Sequence, residues 1–307
     1  MQLGQYPPAD HVIAHISDTH FLGGGRPLYG SIDTDANLAR ALAALEASKI
    51  DIDALVFTGD IADLGEPDAY GRVRGLVEPA AARMGAEVVW VMGNHDDRSA
   101  FRAELLGAVG ADQVVDVRPD DVSPIDRVID LGGLRVIALD TSVPGYHHGE
   151  LTDAQLDWLR QQLSVGAPNG TILALHHPPV PSPVAYMQVL ELQRQHELAE
   201  VIRGSDIRTI LGGHLHYSTH GLFAGIPVAV AAATCYTMDV SAPESTLVGR
   251  DGGQSITLVH VYADQVVHSI VPLGDFPVVA RFDTDFTRRL EAADTVELRE
   301  YYAKQQG

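Results

Sequence analysis

The sequence predicts an α/β protein with two β-sheets and flanking helices. Between residues 11 and 211, short apolar runs alternate with longer amphipathic stretches, an order typical of a mostly parallel sheet with helices outside it. After Gly213 the helical stretches give way to strand-like runs joined by short turns, which indicates a second, largely antiparallel sheet packed on the first. The 307 residues, 46% hydrophobic and 20% charged, can bury a sizeable core.

The first part of the chain supplies the alternating elements. The predicted strands cover residues 11–16, 54–58, 87–92, 134–139, 171–175 and 207–211. The predicted helices cover residues 34–48, 66–84, 97–106, 152–163 and 187–203. Local chemistry marks two helix starts, because Thr152 and Gln155 have the spacing of a capping box and Pro67 suits a first helical turn.

The remainder of the chain has mainly strand-like runs, followed by a helical segment. Its predicted strands cover residues 217–223, 227–233, 256–262 and 266–271. Residues 282–302 space their apolar side chains roughly on one helical face. Since no internal repeat or linker interrupts the chain, we expect one domain over residues 1–275 and a helical tail over residues 276–307. The tail could pack on its own domain or on another subunit.

The balance of charge narrows the classes of partner. Asp and Glu number 41 against 21 for Lys and Arg, a formal net charge of −20. Duplex nucleic acid and anionic membranes are held by excess Lys and Arg, so neither is an expected partner. A small anionic substrate is still compatible with this charge, because bound divalent cations can dominate the field of a site.

Cysteine usage and the start of the chain bear on the compartment. Cys235 is the one cysteine, so an internal disulfide is impossible and nothing indicates an oxidising compartment. The first residues lack a basic segment followed by an apolar one, which argues against a secretory signal. No apolar run of about 18 residues occurs, so no membrane-spanning helix is expected. We therefore expect a cytoplasmic protein.

Five groups of polar side chains directly follow predicted strands. They are Asp18-Thr19-His20, Gly59-Asp60, Gly93-Asn94-His95-Asp96, His176-His177 and Gly213-His214-Leu215-His216. In an open α/β sheet the carboxyl ends of the strands line one edge, where ligands bind, so these residues should meet in one cleft. Each group alone is commonly a turn, a helix cap or a pair of structural histidines. Five groups in this order, each at a strand end, are poorly explained by chance.

The residue types in these groups predict metal ions. Carboxylate, imidazole and amide ligands without a thiolate suit Mn, Fe, Mg, Zn or Co in a catalytic site. In an extended segment, Asp18 and His20 would point to the same side and hold one ion together. Two neighbouring ions need a bridging group, and Asp60 is the expected bridge. Glycines such as Gly93 should allow the sharp turns that aim these side chains.

The same ordered set resembles the calcineurin-like metallophosphoesterase superfamily. The wider segments HISDTH, VFTGDIAD, VWVMGNHDDR, LDTSVPG, LALHHPP and GGHLHYSTHG are similar to its class III cyclic nucleotide phosphodiesterase branch, the CpdA-type enzymes. The similarity extends roughly through Leu273. It implies a mixed two-sheet sandwich flanked by helices, in agreement with the pattern above.

The resemblance also implies a division of the ligands between two divalent metal ions. Asp18, His20, Asp60 and His216 would hold the first ion, and Asp60, Asn94, His176 and His214 the second. Iron in the first position and manganese or another divalent ion in the second would be usual for such a protein. No position departs from the pattern.

His95 is the candidate general acid. It adjoins Asn94, so it should lie over the leaving oxygen, and histidine can donate a proton near neutral pH. Asp96 or Asp63 could orient its ring, while a plain loop role for His95 is the alternative. His147 and His148 follow the strand at residues 134–139 and could touch a phosphate or a base, although a solvated loop is an equal alternative. Asn94 and His95 are also expected to contact substrate.

The expected function is hydrolysis of 3′,5′-cyclic nucleotides, cAMP and in addition cGMP, to 5′-monophosphates by a metal-activated water. One alternative is a broader phosphodiesterase or phosphomonoesterase, acting for example on 2′,3′-cyclic nucleotides, since dimetal chemistry hardly distinguishes them. A second alternative is a non-enzymatic scaffold, which would tolerate lost ligands, whereas this chain has a complete set. The tail and the resemblance also predict a homo-oligomer, a dimer or larger.

Overall fold

The computed structural model describes residues 4–107, 122–243 and 246–304. These residues form two compact units. One unit is Ala9–Gly274, and the other combines residues from both chain ends, 4–8 and 275–304.

The larger unit contains the strands and six of the helices among the described residues. In chain order the strands are β1 (His11–Ile16), β2 (Ala54–Thr58), β3 (Glu87–Val91), β4 (Arg127–Leu131), β5 (Leu134–Leu139), β6 (Ser142–Val143), β7 (Tyr146–Gly149), β8 (Thr171–Leu175), β9 (Ile207–Gly212), β10 (Thr219–Phe223), β11 (Ile226–Val230), β12 (Thr237–Met238), β13 (Gly249–Arg250), β14 (Ser255–Val261) and β15 (Val266–Pro272). The helices are α1 (Thr34–Ser48), α2 (Pro67–Met84), α3 (Arg98–Phe101, continued as a π-helix over Arg102–Leu106), α4 (Asp153–Gln162), α5 (Ala185–Gln188) and α6 (Gln195–Ile202).

Two mixed sheets carry the fold. The first has the order β15-β14-β1-β2-β3, with β1, β2 and β3 parallel and β14 antiparallel to both of its neighbours. The second has the order β10-β11-β9-β8-β5-β4, with β11, β9, β8 and β5 parallel and antiparallel strands at both edges. The predicted α/β two-sheet architecture is therefore confirmed.

Apart from the two-residue strands β12 and β13, which pair with each other, the strands after Gly213 join the two main sheets, so the predicted separate antiparallel sheet is wrong. β10 and β11 join the second sheet beside β9, whereas β14 pairs with β1 and extends the first sheet. β14 is buried along nearly its whole length and is therefore an interior strand, flanked by β1 and β15. A local strand pattern predicts extended backbone but does not specify the pairing partner.

The predicted helix over residues 187–203 is also wrong, because the structure has two short helices, α5 and α6, with irregular chain between them. In that chain the Gly149 N–H donates to the Glu191 carbonyl oxygen and the Gln193 N–H donates to the Gly149 carbonyl oxygen. Arg194 then takes a left-handed conformation just before α6. Pairing with the β7 segment therefore replaces helical hydrogen bonds here. The predicted capping box of Thr152 and Gln155 is present at the start of α4.

The core lies in three layers that follow the period-two alternation of the strands. In β2, Leu55 and Phe57 pack against α1 and α2, whereas Ala54 and Val56 face the second sheet. Helices α4 and α6 cover the outer face of the second sheet. Helices therefore cover the outer face of each sheet, and the inner faces of the two sheets pack on each other.

The smaller unit contains α7 (Thr284–Ala292) and α8 (Thr295–Glu297), the latter continued as a π-helix over Leu298–Ala303. Extended backbone at Ala293 ends α7, so the predicted single helical face over residues 282–302 is interrupted. Within the unit, the Phe286 ring lies 4.9 Å from the Phe282 ring and 5.9 Å from the Tyr302 ring. Of the helices described here, none has both the length and the apolar character needed to cross a bilayer.

Candidate metal centre

All seven predicted ligands follow the carboxyl ends of parallel strands. Asp18 and His20 follow β1, Asp60 follows β2, and Asn94 follows β3 in the first sheet. His176 follows β8, and His214 and His216 follow β9 in the second sheet. The centre is therefore built by both sheets along one common edge.

The first predicted group is tightly clustered. The Nε2 atom of His20 lies 3.2 Å from Nε2 of His216 and 3.4 Å from Oδ2 of Asp60. The Nε2 atom of His216 lies 3.4 Å from Oδ1 of Asp18. Potential ligand atoms of these four residues all fall within 4.8 Å of one another, and all four side chains are buried. One ion could be held by all of them.

The second predicted group adjoins the first at Asp60. The Nε2 atom of His176 lies 3.3 Å from Oδ2 of Asp60 and 3.1 Å from Oδ1 of Asn94. The His214 ring lies 5.1 Å from the His176 ring. The Oδ2 atom of Asp60 thus lies within 3.4 Å of one histidine from each group.

Each of the four predicted histidine ligands has one ring nitrogen held by an oxygen acceptor. His176 Nδ1 lies 2.7 Å from the Thr58 carbonyl oxygen, and His216 Nδ1 lies 3.3 Å from the Tyr236 carbonyl oxygen. His214 Nε2 lies 3.1 Å from the Leu190 carbonyl oxygen. His20 Nδ1 lies 2.9 Å from Oδ1 of Asp63. A carbonyl or ionised carboxylate oxygen only accepts, so the nitrogen facing it carries a proton, and in the neutral ring the other nitrogen keeps its lone pair.

These tautomers test whether the residues fit metal ions. With Nδ1 protonated on both rings, the Nε2 atoms of His20 and His216 are two acceptors only 3.2 Å apart. The same holds for Nε2 of neutral His176 and the amide oxygen of Asn94. Facing lone pairs repel one another unless a proton or a metal cation lies between them. Buried Asp18 and Asp60 also have only histidines as ionic partners among the described residues, which suits added positive charge.

Backbone strain is concentrated at this centre. Five of the seven predicted ligands have left-handed backbone, namely Asp18 (φ 53°), His20 (φ 47°), Asp60 (φ 50°), His214 (φ 70°) and His216 (φ 58°). Such conformations cost non-glycine residues of order 1–3 kcal/mol each and are typical of functional sites. The expected extended geometry of Asp18 and His20 is therefore wrong, since each side chain is aimed by its own left-handed turn.

The flanking glycines permit close packing of the ligand loops. A Cβ atom on Gly93 would lie 2.1 Å from the Asp60 backbone nitrogen and 2.3 Å from its Oδ1. Gly93 has no positive φ, so its expected role as a sharp turn is replaced by close approach of two loops. Gly59 combines both reasons, with φ at 91° and a Cβ position 2.5 Å from Nδ1 of His176.

The charges of the centre are strongly coupled. Burial opposes protonation of His176, but the Asp60 carboxylate outweighs it and raises the pKa of His176 to about 9. Burial would raise the pKa of Asp60, yet His176, His95 and His20 together hold it well below its usual range. Burial lowers the pKa of His214 and, to about 4, that of His216. The metal-free centre thus favours an ionised Asp60 and neutral His214 and His216, the forms that bind metal.

The predicted general acid His95 lies beside this cluster. Its Nδ1 atom lies 2.9 Å from the Asp63 carbonyl oxygen, and its backbone N–H donates to Oδ1 of Asp60 at 2.8 Å. Its ring centre lies 4.8 Å from that of His20. The Asp63 backbone therefore orients His95, while the Asp63 carboxylate is hydrogen-bonded to His20 and its Oδ1 also lies 3.6 Å from Nδ1 of His95.

Asp96 has a different position from the one expected. Its carboxylate accepts hydrogen bonds from the Ile61, Ala62 and Gly93 backbone N–H groups and from the Tyr70 hydroxyl. Every described hydrogen bond of this carboxylate thus goes to the loops and to α2 rather than to the His95 ring. Asp96 fixes the Asp60 loop against the loop that carries His95.

His147 and His148, the two histidines predicted to contact substrate, have different surroundings. The Asn94 amide nitrogen lies 2.9 Å from Nδ1 of His147, and the His147 ring lies 4.9 Å from the His95 ring. His147 lines a cleft of about 270 Å³ together with Asp60, Asn94 and His95. The His148 ring instead lies 5.3 Å from Tyr146, and His148 is not among the described residues lining that cleft.

His177, which the sequence placed in one of the five groups as a possible structural histidine, and Tyr236, which the sequence did not indicate, both support the centre. Buried His177 lies 2.8 Å through Nδ1 from the Thr141 hydroxyl and 3.2 Å through Nε2 from the His147 carbonyl oxygen, so it fixes the β6–β7 turn. Tyr236 packs its ring 4.4 Å from that of His216. Its position in the chain gives no motif that could have indicated this contact. The adjacency of His177 to His176 is the one signal that was available.

Comparison with known proteins places this geometry in context. The sequence profile of the calcineurin-like phosphoesterase family matches residues 11–218, which include every predicted metal ligand. A cAMP/cGMP dual specificity phosphodiesterase of Mycobacterium tuberculosis (strain CDC 1551 / Oshkosh) is 52% identical over 295 residues, 96% of this chain and 90% of that protein. A probable cyclic nucleotide phosphodiesterase of Rhodococcus erythropolis (strain PR4 / NBRC 100887) is 52% identical over 291 residues, 94% of this chain and 93% of that protein.

A solved structure agrees at the level of the fold. A dimetal phosphatase from Danio rerio superposes with a TM-score of 0.60 at 15% sequence identity, covering 85% of this chain and 96% of that one. The two chains therefore share a fold.

Proposed function

Because the chain belongs to the calcineurin-like phosphoesterase family, we propose that it is a metal-dependent phosphodiesterase that hydrolyses 3′,5′-cyclic nucleotides, cAMP and cGMP, to 5′-monophosphates. The observation that carries the metal dependence is the set of four histidine rings, each held through one nitrogen by an oxygen acceptor. The choice of substrate rests on the 52% identity to two cyclic nucleotide phosphodiesterases across nearly the whole chain.

The proposed ligand sets follow the two clusters. Asp18, His20, Asp60 and His216 would hold one cation and Asp60, Asn94, His176 and His214 the other, so Asp60 would contribute to both sites. When bound, two such cations supply an activated water and stabilise the negative charge of the phosphate in the transition state. Iron and manganese are the proposed ions, while the oxygen and nitrogen ligands also accept Mg, Zn or Co.

The residues of this chain at the cleft bind and protonate the substrate in this proposal. Asn94 and His147 are joined by a hydrogen bond at the cleft wall, so they can position a phosphate oxygen together. His95, held through Nδ1 by the Asp63 carbonyl oxygen, has Nε2 available to give a proton to the leaving 3′-oxygen. An alkoxide is a poor leaving group unless it receives a proton, so this transfer would assist cleavage of the ester bond.

The finer assignments belong to the same proposal. We assign residues 1–275 to the catalytic domain and residues 276–307 to a tail that contributes to a homo-oligomer. We propose a cytoplasmic location, because cyclic nucleotides act as signals in the cytoplasm. Duplex nucleic acid is not a proposed partner, because the net charge is −20.

A substrate panel tests the proposal. Purified protein reconstituted with manganese is assayed on cAMP, cGMP, 2′,3′-cAMP and a phosphomonoester, with metal analysis of the same sample. We expect two metal ions per chain and a higher kcat/KM for the 3′,5′-cyclic nucleotides than for the others. Faster turnover of 2′,3′-cAMP or of the monoester would assign a broader phosphoesterase instead, and no turnover of any substrate by loaded protein would favour a scaffold.

A further inference from the structure

A second chamber of about 380 Å³ opens beside the cleft of the metal centre. The two spaces share four lining residues, Tyr29, Tyr236, Met238 and Leu247. The chamber therefore adjoins the metal centre along these four side chains. The role of this space is not assigned by the phosphate chemistry of the neighbouring cleft.

Tyr29 is displayed on the chamber by a short, anchored turn. The Leu28 and Ile32 backbones pair on either side of it, with N···O distances of 2.9 and 3.0 Å. Leu28 and Ile32 are buried in a small apolar cluster with Cys235. Tyr29 itself is 74% exposed and has left-handed backbone, with φ at 52°. An exposed aromatic ring on strained and anchored backbone indicates a functional position.

A row of aromatic rings joins this position to the metal centre. The Tyr236 ring lies 4.4 Å from the His216 ring and 5.5 Å from the Tyr29 ring, which it meets edge-on. The two tyrosine hydroxyl oxygens are 3.5 Å apart. Tyr236 is thus held between a predicted metal ligand and Tyr29, and it supports the Tyr29 ring from the side. One face of Tyr29 is left for a planar ligand.

The residues that line the chamber favour a neutral ligand group that donates hydrogen bonds. Its described lining contains no lysine or arginine, and its polar side chains include Ser31 and the carboxylate of Asp251. Asp251 accepts a hydrogen bond from the Gln254 amide at 2.9 Å and can accept further ones. A phosphate would be repelled here, whereas the amino group of a purine base would find an acceptor.

We propose that Tyr29 is the stacking platform for the purine base of a cyclic nucleotide whose phosphate lies at the metal centre. This inference rests on the proposed cyclic nucleotide phosphodiesterase function and adds the subsite that recognises the base. Stacking on an aromatic ring tolerates either purine, and Asp251 can accept from the amino group of adenine or guanine, so one subsite can serve both cAMP and cGMP.

The test compares a nucleotide with a small diester that has no base. Wild-type protein, Tyr29→Ala and Tyr29→Phe are assayed on cAMP and on methyl p-nitrophenyl phosphate. Stacking on an aromatic ring is worth enough that Tyr29→Ala should lower kcat/KM for cAMP by about 10- to 100-fold, mainly through KM. The loss on the small diester should be at least tenfold smaller, and Tyr29→Phe should retain most cAMP activity. Tyr301→Ala, another exposed tyrosine, is the matched control and should change neither rate.

Saturation-transfer NMR on adenosine provides a readout that does not depend on turnover. Adenosine has no phosphate, so it can be held only through its base and sugar. Saturation transfer to its base protons should therefore be seen with the wild-type protein and be lost with Tyr29→Ala. Tyr186→Ala tests another exposed tyrosine that lines the cleft.

Equal losses on both substrates in Tyr29→Ala, or a selective cAMP defect in Tyr186→Ala alone, would overturn the Tyr29 subsite while leaving the proposed function standing. Wild-type protein that hydrolyses the small diester but neither cyclic nucleotide would overturn both.

Discussion

The Nδ1 atom of His95 lies 2.9 Å from the backbone carbonyl oxygen of Asp63. A carbonyl oxygen cannot donate, so Nδ1 keeps its proton and Nε2 is the nitrogen that can exchange one with substrate. His95 also borders the cleft that contains Asp60 and Asn94. This arrangement makes the role of His95 separable from metal binding.

We expect His95→Ala to keep both metal ions but to lose roughly 10²–10⁴-fold in turnover of cAMP, because the alkoxide leaving group would no longer receive a proton. The loss should be much smaller for a p-nitrophenyl phosphodiester, whose leaving group needs none. Steady-state kinetics with metal analysis measure both effects. His196→Ala, an exposed histidine on α6, serves as the control and should be silent. A metal lost from His95→Ala would place His95 among the ligands, and equal losses on both substrates would rule out acid catalysis.

The hydrogen bond between Asp63 and His20 predicts a graded effect on metal affinity. Oδ1 of Asp63 lies 2.9 Å from Nδ1 of His20 and fixes the ring that belongs to the first cluster. Losing such a partner typically costs about 10- to 100-fold in metal affinity. We expect that loss in Asp63→Ala and a smaller one in Asp63→Asn, which keeps an acceptor oxygen. Competition with a chelator measures it, and Asp264→Asn, an exposed turn residue, is the comparison variant. Unchanged affinity in Asp63→Ala would refute the orienting role.

Protons and metal ions should compete at His176. In the metal-free protein burial disfavours the imidazolium, but Asp60 outweighs burial and raises the pKa of His176 to about 9, above its ordinary value of 6.5. At pH 7.5 the ring is therefore protonated, and a metal can bind only after the proton leaves. Metal affinity should rise with pH up to about 9. Calorimetry of metal binding in two buffers with different ionisation enthalpies should show proton release, and identical heats in both buffers would contradict it.

The same pKa fixes the sign of a stability effect in the metal-free protein. Since the folded pKa is above the unfolded one, protonated His176 stabilises the fold fully below about pH 6.5, and that contribution is lost as the pH rises through about 9. The unfolding temperature of metal-free protein should therefore fall across this window. Metal-loaded protein should not follow it, because bound metal holds the ring deprotonated at every pH in the window.

The oligomer prediction concerns the smaller unit. Phe282 is 74% exposed and packs on Phe286 within that unit, so it leaves apolar surface uncovered. If this surface joins subunits, Phe282→Ser with Phe286→Ser should shift the full-length protein to a smaller species in light scattering. Val165→Ser, an exposed valine of the larger unit, should not. If the wild-type protein is a monomer at micromolar concentration, the homo-oligomer prediction is wrong.

Strand ends were predictable from the sequence because their signals are local. Apolar runs such as residues 54–58 gave the strand bounds directly, and polar residues after each run gave the metal ligands. Strand pairing was not predictable, because β14 carries no local sign that it pairs with β1 at the far end of the chain. Left-handed backbone at Asp18 and His20 was not predictable either, since only the surrounding structure can hold non-glycine residues there. The Tyr236 contact with His216 depends on that same tertiary context.

At Gly93 an added side chain would test close packing alone, because the backbone of this glycine has no positive φ. A Cβ at this position would lie 2.1 Å from the Asp60 backbone nitrogen, a distance that forces the Asp60 loop to move. Overpacking typically costs about 1–3 kcal/mol, and here the displaced residue is the proposed metal bridge. Gly93→Ala should therefore lower the free energy of unfolding by about that amount and lose metal from both positions, measured by denaturant unfolding and elemental analysis.

Gly75→Ala in α2 is the matched control for that variant, since a Cβ there meets nothing within 4 Å. It should keep both ions and gain up to about 1 kcal/mol from helix propensity. If Gly93→Ala binds two ions with wild-type affinity, the Asp60 loop tolerates the added methyl group, and the close approach of the two loops does not position the bridge.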